Sequence, residues 1–371
     1  MDSQDILVIG GGIGGLTSAI ALGRAGHKVT IAEKDPAWAV YGVGIIQQAN
    51  VVRAVAQLGI IDDYIDAGFG FDFVEVYLPD GARVARIPVQ RLVEGYPANV
   101  GIGRPALHQV LGDHAKKAGA EVRLGIQVDE IAQDADGVDV RFSDGREGRY
   151  DLVIGADGLY SRTRRQLFPD ACAPAFTGQS VWRYNLPKPP EIDCLSAYEG
   201  PRGVGLTPLS RDLMYMFLTT AEPGNPRFPT EGLAAEMRSR ITVPAPQIQQ
   251  LVPSITDDEA VVYKPLEWLL LEGDWHKGRV VLLGDAVHGT TPHLGQGAGM
   301  AIEDSIVLAE EIGRAATPAE AFAAWQARRQ DRCRYIVETS LSICRGQLGL
   351  GPRVDQAKAT QEMFVRTAQP I

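Results

Sequence analysis

The chain is short of cysteine and of long apolar runs, and each shortage excludes a class of protein. Its 371 residues include only 4 cysteines, among which neither a CxxC pair nor a Cys/His cluster with metal-ligand spacing occurs. We therefore expect reduced thiols in a cytoplasmic protein and no metal site. No uninterrupted apolar run of about 18 residues occurs, and the opening sequence MDSQDILVIG lacks a basic start. The sequence thus predicts neither a membrane span nor a secretory signal.

Positive charge is also in the minority, with 36 Lys and Arg against 46 Asp and Glu and a net charge of −10. This balance argues against nucleic acid and anionic membranes as partners. Apolar residues make up 45% of the chain and charged residues 22%, which excludes wholesale disorder. At about 150 residues per domain, the length favours two domains.

The apolar pattern predicts an α/β fold with a Rossmann-like dinucleotide-binding domain, an inserted domain of mainly antiparallel β-sheet, and C-terminal helices. The first 35 residues contain a strand, a glycine-rich turn, a helix and a second strand in succession. Prolines and short apolar runs become frequent after about residue 173, and a buried strand pattern returns near residue 279. We expect a discontinuous nucleotide-binding domain at 1–173 and 272–345, an inserted domain at 174–271, and a surface tail with little periodicity at 346–371.

Several smaller elements have clear patterns. Residues 71–89 alternate with period two around Pro79-Asp80-Gly81, which predicts a hairpin that we expect to join the inserted sheet. Further predicted elements are a helix from Arg104 to Lys117, a meander over 122–150, and two long helices at about 297–313 and 318–345.

A glycine-rich motif, Gly10-x-Gly12-x-x-Gly15, follows the first strand and opens a helix. Its glycines permit a tight turn, close approach of the backbone to a pyrophosphate, and close packing of helix on strand, and Glu33 is placed to bind a ribose diol. The helix N-terminus would add unpaired N–H groups. The alternatives are a glycine turn in an unrelated βαβ unit, and NAD instead of FAD. The predicted contacts are Gly10, Gly12, Ile13, Gly14, Gly15, Glu33 and Lys34.

Two acids follow buried strands later in the chain. Asp157 lies in GADG after one strand, and Asp285 lies in GDAVH after another. An acid at the carboxyl end of a parallel strand points into the ligand crevice of a doubly wound sheet, and Asp285 is placed to accept a hydrogen bond from a ribityl hydroxyl. The alternatives are a simple turn at Asp157 and a helix cap at Asp285.

Together these segments resemble the single-component flavoprotein aromatic hydroxylases, such as para-hydroxybenzoate and salicylate hydroxylases. The resemblance spans roughly residues 5–345 and rests on VIGGGIGGL, GIGRPALHQVL, DLVIGADGLYSRTRR and LLGDAVHGTTPHLGQGAGMAIED. It implies bound FAD, NADH or NADPH as a transient reductant, and O2 as the oxidant. The implied reaction is hydroxylation of a phenolic or N-heteroaromatic, carboxylated ring through a C4a-hydroperoxyflavin. It also implies FAD contacts at Gly12, Glu33, Arg104 and Asp285, with Asp157 in a motif shared by FAD and nicotinamide.

The loop from Thr291 to Gly299 precedes a helix, and its glycines allow a planar ring to approach the backbone. We expect Gly295, Gly297 and Ala298 to contact the flavin, where peptide N–H groups would stabilise the charge of its reduced form.

Three side chains are the catalytic candidates. His293 is our candidate base, because salicylate hydroxylases resemble this chain in having a histidine in a TPH segment here; the alternative is packing beside the flavin. Arg183 would either clamp a carboxylate or lie beside the flavin, and Tyr215 would face either the substrate cavity or the core.

Other functions share parts of this pattern. Flavin-dependent halogenases have the FAD motifs but also a Trp-x-Trp-x-Ile-Pro segment, which this chain lacks. A flavin-dependent reductase or another FAD oxidoreductase acting on a non-aromatic substrate stays an alternative, as does a non-catalytic flavin-binding protein. No second GxGxxG follows a strand and opens a helix, which fits a nicotinamide that binds transiently. The choice between monomer and homodimer, and the ring position, stay open.

Overall fold

The computed structural model describes residues 1–200 and 202–371. In chain order, the strands of these residues are β1 Asp5–Ile9, β2 Lys28–Glu33, β3 Gly44–Gln47, β4 Phe69–Phe71, β5 Phe73–Tyr77, β6 Arg83–Pro88, β7 Asn99–Gly103, β8 Glu121–Leu124, β9 Val128–Gln133, β10 Val138–Phe142, β11 Glu147–Tyr150, β12 Leu152–Gly155, β13 Ala175–Pro187, β14 Leu195–Tyr198, β15 Val204–Pro208, β16 Leu213–Ala221, β17 Val262–Trp268, β18 His276–Lys277 and β19 Val280–Leu282.

The helices of the same residues are α1 Ile13–Arg24, α2 Ala49–Gln57, α3 Ile61–Asp66, α4 Arg104–Lys117, α5 Arg162–Leu167, α6 Leu233–Arg240, α7 Pro246–Leu251, α8 Asp285–His288, α9 Gly297–Arg314, α10 Pro318–Gln347 and α11 Gln356–Ala368. Short 3₁₀ turns lie at Val252–Ser254 and Pro292–Leu294. Over the part of the chain that is described, no helix has both the length and the apolar content needed to cross a membrane.

A six-stranded sheet in the order β18-β19-β12-β1-β2-β8 forms the centre of the nucleotide-binding part. All its neighbours pair in parallel except β18, which is antiparallel to β19. The central strands are continuous apolar runs because both of their faces are buried. Their carboxyl ends bring Gly10, Glu33, Asp157 and Asp285 to one edge of the sheet, where a doubly wound fold binds its ligand. The predicted fold class is confirmed.

Two three-stranded sheets flank this one, in the orders β11-β10-β9 and β3-β7-β4. The first is the meander predicted over 122–150, but with a different start. The segment Glu121–Leu124 pairs in parallel with β2 and is an edge strand of the central sheet. The predicted boundary was wrong because this segment is only half-buried, and its short apolar pattern does not specify which sheet it joins.

The second large element is a seven-stranded sheet in the order β17-β13-β16-β15-β14-β5-β6, to which the hairpin β5–β6 belongs. One face packs on α6 and α7 through alternate residues such as Trp182, Met214 and Met216. The other face, which we call the inner face, contacts the small β3-β7-β4 sheet: a Cβ atom at Gly44 would lie 2.5 Å from the Tyr215 ring. Arg104, which directly follows β7 of the small sheet, is close enough to Asp285 at the carboxyl edge of the central sheet to affect its pKa. The cleft at the junction of the three sheets therefore lies beside this edge.

The C-terminal region is helical throughout most of its length. The helices α9 and α10 match the two long helices predicted there. The segment predicted as a tail with little periodicity instead contains α11, whose residues Ala359, Met363 and Thr367 are buried at intervals of one helical turn. A four-residue spacing with small and polar members gives a weak apolar pattern, which explains why the sequence did not predict this helix.

Candidate active site

The glycine motif adopts a tight turn that leaves open space at one position. Gly10 has a φ of 106°, and a Cβ atom there would lie 2.4 Å from the Ala156 carbonyl oxygen. A Cβ atom at Gly15 would lie 1.9 Å from the carbonyl oxygen of Gly10. Gly12 is different: within the described residues, nothing lies within 4 Å of a Cβ atom built there, and its φ of −81° suits any residue. Since the protein does not require glycine at 12, the open space is suited to a ligand.

The carboxylate of Glu33 is held against this turn. One of its oxygens accepts from the Gly11 N–H at 2.7 Å and the other from the Asp35 N–H at 2.8 Å. Each oxygen keeps a free lone pair, as a ribose diol would require. Trp38, which the sequence analysis did not single out, donates its indole N–H to the Gly11 carbonyl oxygen at 2.9 Å. Lys34 is exposed beside this group, and the predicted neighbours Ile13 and Gly14 form the first turn of α1.

Asp157 is occupied by the protein itself. Its carboxylate accepts hydrogen bonds from the N–H groups of Arg162 at 2.8 Å and Thr163 at 3.0 Å, and from the Ser161 hydroxyl. These bonds satisfy the free amides at the start of α5. The arrangement supports the interpretation of a turn and helix cap, and the predicted role of Asp157 in binding FAD directly stays a prediction.

Asp285 lies in the cleft with its carboxylate free. It follows β19 and begins the one-turn helix α8, but over residues 1–200 and 202–371 its side chain accepts no hydrogen bond. The side chain is exposed to the cleft, yet protein surrounds it on most sides. This enclosure raises the pKa of Asp285, while the charges of His288 and Arg104 lower it. An enclosed acid that caps nothing fits the predicted hydrogen bond to a ribityl hydroxyl.

Arg104 begins α4 and faces the same cleft. Its guanidinium stacks 5.0 Å from the centre of the Tyr41 ring. Its Nε is buried and, among the described residues, has no hydrogen-bond partner. The Lys264 ammonium lies 5.7 Å from the centre of the same ring. Two cations thus flank Tyr41, whose loop is tied to the inner face by the Asn185 amide donating to the Gly42 carbonyl.

The loop before α9 has the geometry of a ring-binding turn. Gly295 has a φ of 66°, a left-handed conformation that favours glycine. Gln296 precedes the helix without capping it, so the first amides of α9, at Gly297, Ala298 and Gly299, are left without intrahelical partners. The first turn of α1 lies beside the start of α9, because a Cβ atom at Gly14 would lie 3.4 Å from the Ala301 Cβ atom. Two positive helix ends therefore face one cleft.

The inner face of the seven-stranded sheet carries a polar row. Tyr215 pairs with Asn185 on one side and with Thr207 on the other, so the three side chains stand next to one another. The Asn185 Oδ1 and Thr207 Oγ1 atoms are buried and find no partner within the described chain. Sequence analysis missed Asn185 and Thr207, because only the register of three strands places them beside Tyr215.

Arg183 stands one step along the same face. Its surroundings lower its pKa, first through burial of the charge and then through the nearby Arg104, while Tyr215 opposes the shift. Burial raises the pKa of Tyr215, so this phenol stays protonated. Over the described residues no carboxylate forms an ion pair with Arg183. An enclosed cation without an acidic partner attracts an anionic ligand.

His293 lies in the 3₁₀ turn, but both of its ring nitrogens are engaged. Nε2 is 3.1 Å from the side-chain Oε1 of Gln179 and 3.2 Å from the side-chain Oε1 of Gln347, so Nε2 carries the proton. Nδ1 then accepts from the Thr291 hydroxyl at 2.9 Å. Burial lowers the pKa of His293 to about 4, which makes it a weak base. These contacts do not support the predicted base role, which stays a prediction that substitution must test.

A buried group of His288, Asp304 and Cys333 lies behind the Asp285 turn. The Arg329 guanidinium donates to Asp304 at 2.8 Å, and His288 Nε2 lies 2.7 Å from the other oxygen of the same carboxylate. Arg329 thus supplies the positive charge that a metal ion would otherwise bring. Asp304 also accepts from the Gly284 N–H at 3.1 Å, which fixes the turn before Asp285.

These features fit the cofactor that the sequence implies. The space at Gly12, the two helix N-termini and the free carboxylate at Asp285 suit the pyrophosphate, the flavin ring and the ribityl chain of FAD. Its ribose would bind Glu33. The fit rests on open volume and on polar groups without partners among the described residues, both of which a bound dinucleotide would explain.

Comparisons with known proteins agree with FAD as the cofactor. The family described as FAD binding domain matches residues 3–340. The chain is 29% identical over 356 residues to a putative FAD-dependent monooxygenase, YetM, of Bacillus subtilis, covering 95% of this chain and 96% of that protein. It is 32% identical over 358 residues to the 6-hydroxynicotinate 3-monooxygenase of Bordetella bronchiseptica, covering 90% of each. The structure of Klebsiella pneumoniae HpxO with FAD and uric acid superposes with a TM-score of 0.84 at 26% identity, covering 99% of this chain and 93% of that one.

Proposed function

Because the chain belongs to the FAD binding domain family and is an FAD-dependent monooxygenase, we propose that it uses NAD(P)H and O2 to hydroxylate an anionic phenolic or N-heteroaromatic ring. The observation that carries this proposal is Arg183, an enclosed guanidinium on the inner face to which no described carboxylate is paired. A carboxylate or phenolate on the ring would supply the missing negative charge. Relatives whose names include 6-hydroxynicotinate and urate support a nitrogen-containing ring.

The polar row on the inner face supports the same substrate class. Tyr215 keeps its proton because burial raises its pKa, so its hydroxyl would donate to an oxygen of the ring. Thr207 and Asn185 offer buried polar atoms without partners in the described chain. A heteroaromatic ring with N–H and C=O groups would satisfy such atoms, whereas an aliphatic substrate would leave them unpaired at a cost of about 1–3 kcal/mol each.

Bound FAD would supply the redox chemistry by accepting a hydride from NAD(P)H and activating O2. The side chains of this protein would bind the ring, orient it and exclude water. Arg183 would also favour the ionised form of a ring hydroxyl, since a nearby positive charge lowers the pKa of a phenol. Ionisation raises the electron density of the ring carbons, so the cation can serve where a strong base is lacking.

A matched pair of substrates tests the proposal. The wild-type protein and the Arg183→Met variant are assayed with 6-hydroxynicotinate and with the corresponding neutral amide. The readouts are substrate-dependent NAD(P)H oxidation, O2 uptake and the mass of the product. We expect the product of the acid to contain one new oxygen atom from O2, with release of CO2 where the hydroxyl replaces the carboxyl group. We also expect the acid to react faster than the amide, and the variant to lose this preference. Arg211→Met, an exposed position on a turn of the same sheet, is the control.

Two results would contradict the proposal. Equal rates with the acid and the amide would refute anion recognition by Arg183. A panel of aromatic and heteroaromatic acids that gave no O2 uptake, while a carbon–carbon double bond was reduced, would favour the reductase alternative.

We also propose a cytoplasmic location, from the reduced state of all four cysteines.

A further inference from the structure

A buried amide, Gln296, connects the loop before α9 to two other helices. Its Nε2 lies 2.9 Å from the Asn50 Oδ1, within reach of the Gln48 Oε1, and 3.4 Å from the Met363 sulfur. Its Oε1 accepts from the Asn50 Nδ2 at 3.0 Å. Gln296 is 1% exposed. Since both the oxygen and the nitrogen of the amide are bonded, this network fixes a single orientation of Gln296, the residue that precedes α9.

The third partner, Met363, belongs to α11. This helix is pinned to α2 by Arg53, which donates to the carbonyl oxygens of Thr367 at 2.9 Å and Ala368 at 2.7 Å. Met363 is fully buried between the two helices and the loop. The position of α11 therefore decides whether Met363 reaches Gln296.

The same amide network is anchored to a buried ion cluster. Asn50 donates to one oxygen of Glu303 at 2.9 Å, and the other oxygen accepts from Arg329 at 2.7 Å and Arg332 at 3.1 Å. Arg332 in turn donates to the Gln369 carbonyl at 3.0 Å, just beyond α11. The contacts form a closed circuit from α11 through α10 and α9 to α2, so a displacement of α11 disturbs both ends of the Gln296 amide.

We propose that α11 is a positioning element of the flavin site, acting through Met363 on Gln296 and hence on the first amides of α9. This inference depends on the FAD site proposed above, but not on the substrate. Amide dipoles at a helix N-terminus stabilise negative charge. If those amides face the flavin, their orientation sets how strongly the reduced, negatively charged form is favoured. A change in α11 should therefore alter the midpoint potential of bound FAD.

The experiment measures that potential in FAD-loaded protein by equilibration with a redox dye. In Met363→Ala and Arg53→Met we expect about a tenfold loss of preference for reduced over oxidised FAD, which equals a shift of about 30 mV to more negative potential for a two-electron couple. Met363→Leu keeps the volume and should stay near wild type. Val365→Ala is the control on the same helix, because the Val365 side chain is exposed.

The apoprotein melting temperature separates positioning from stability. A lower melting temperature with an unchanged potential in both Met363→Ala and Arg53→Met would overturn the inference and leave α11 as a structural helix. An equal shift in Val365→Ala would overturn it as well, because the effect would then not pass through Met363. A wild-type protein that binds no FAD would instead refute the proposed function.

Discussion

Removal of the Asp285 carboxylate should weaken FAD binding while stabilising the protein without FAD. The carboxylate is enclosed by the cleft, and over the described chain it caps no helix. In the complex it would form a charge-assisted hydrogen bond worth roughly 1.5–3 kcal/mol. Its loss in Asp285→Ala should raise the dissociation constant of FAD by about 10- to 150-fold. Asp285→Asn keeps an acceptor oxygen and should lose less.

The gain in stability follows from the raised pKa of Asp285. The folded apoprotein binds this proton more tightly than the unfolded chain does. The carboxyl group therefore lowers the free energy of unfolding as the pH rises from the pKa of the unfolded state to the higher pKa of the folded state. Below that window both states are protonated and the variant should equal wild type. Above it, the variant apoprotein should melt at a higher temperature.

Two measurements check this prediction. FAD affinity is measured by quenching of flavin fluorescence, and the melting temperature of the apoprotein is measured at acidic and at mildly alkaline pH. A destabilised apoprotein with normal FAD affinity would refute the reasoning and favour a structural role for Asp285. A residue that serves ligand binding at a cost to the fold should give changes of opposite sign on removal: a more stable apoprotein and a weaker affinity for FAD.

Three further predictions follow from single contacts. Gly12→Val should fold normally but bind FAD with a dissociation constant about 100-fold higher or more, since its side chain enters open space at an unstrained φ. Retained FAD, measured by absorbance of the purified protein, would contradict this. Arg329→Met should lower the free energy of unfolding by about 3–5 kcal/mol, because the buried carboxylates of Glu303 and Asp304 would lose the guanidinium that they share. Denaturant titration measures this loss, and a value under about 1 kcal/mol would refute the prediction. His293→Gln should keep the hydroxylation rate and the product formed per NAD(P)H near wild type at all pH values, because both ring nitrogens are engaged within the protein. A base role predicts instead a hydroxylation rate lower by a factor on the order of 10²–10⁴, with the loss shrinking at high pH.

Local motifs explain why the sequence could indicate most candidates for the nucleotide site. The turn at Gly10, the acid at Glu33 and the acid at Asp285 each depend on a strand end and on a few neighbouring residues, and these relations are visible in the sequence. Asp157 belongs to the same class of motif, but its carboxylate is used by α5. Sequence patterns could not show this use, because a cap and a ligand contact require the same residue at the same place.

The substrate side could not be predicted to the same depth, because its geometry depends on register between distant strands. The sequence singled out Arg183 and Tyr215 as candidates, whereas Asn185 and Thr207 join them only through the pairing of β13 and β15 with β16. His293 illustrates the same dependence on distant contacts. Its motif indicates the loop correctly, whereas its role depends on Gln179 and Gln347, which come from parts of the chain far from it in sequence.

The state of the buried charges separates the core of this protein from its site. Behind the sheet, Arg329 is fully buried and bonds to both Glu303 and Asp304, so its charge is balanced within the fold. In the cleft, Arg183 is half-buried and Asp285 is open to the cleft with protein around it, yet across residues 1–200 and 202–371 neither forms an ion pair with another side chain. An enclosed charge without a partner costs free energy that the fold alone does not recover. A bound ligand would recover it, so the two unpaired charges mark where the anionic ring and the ribityl chain should bind.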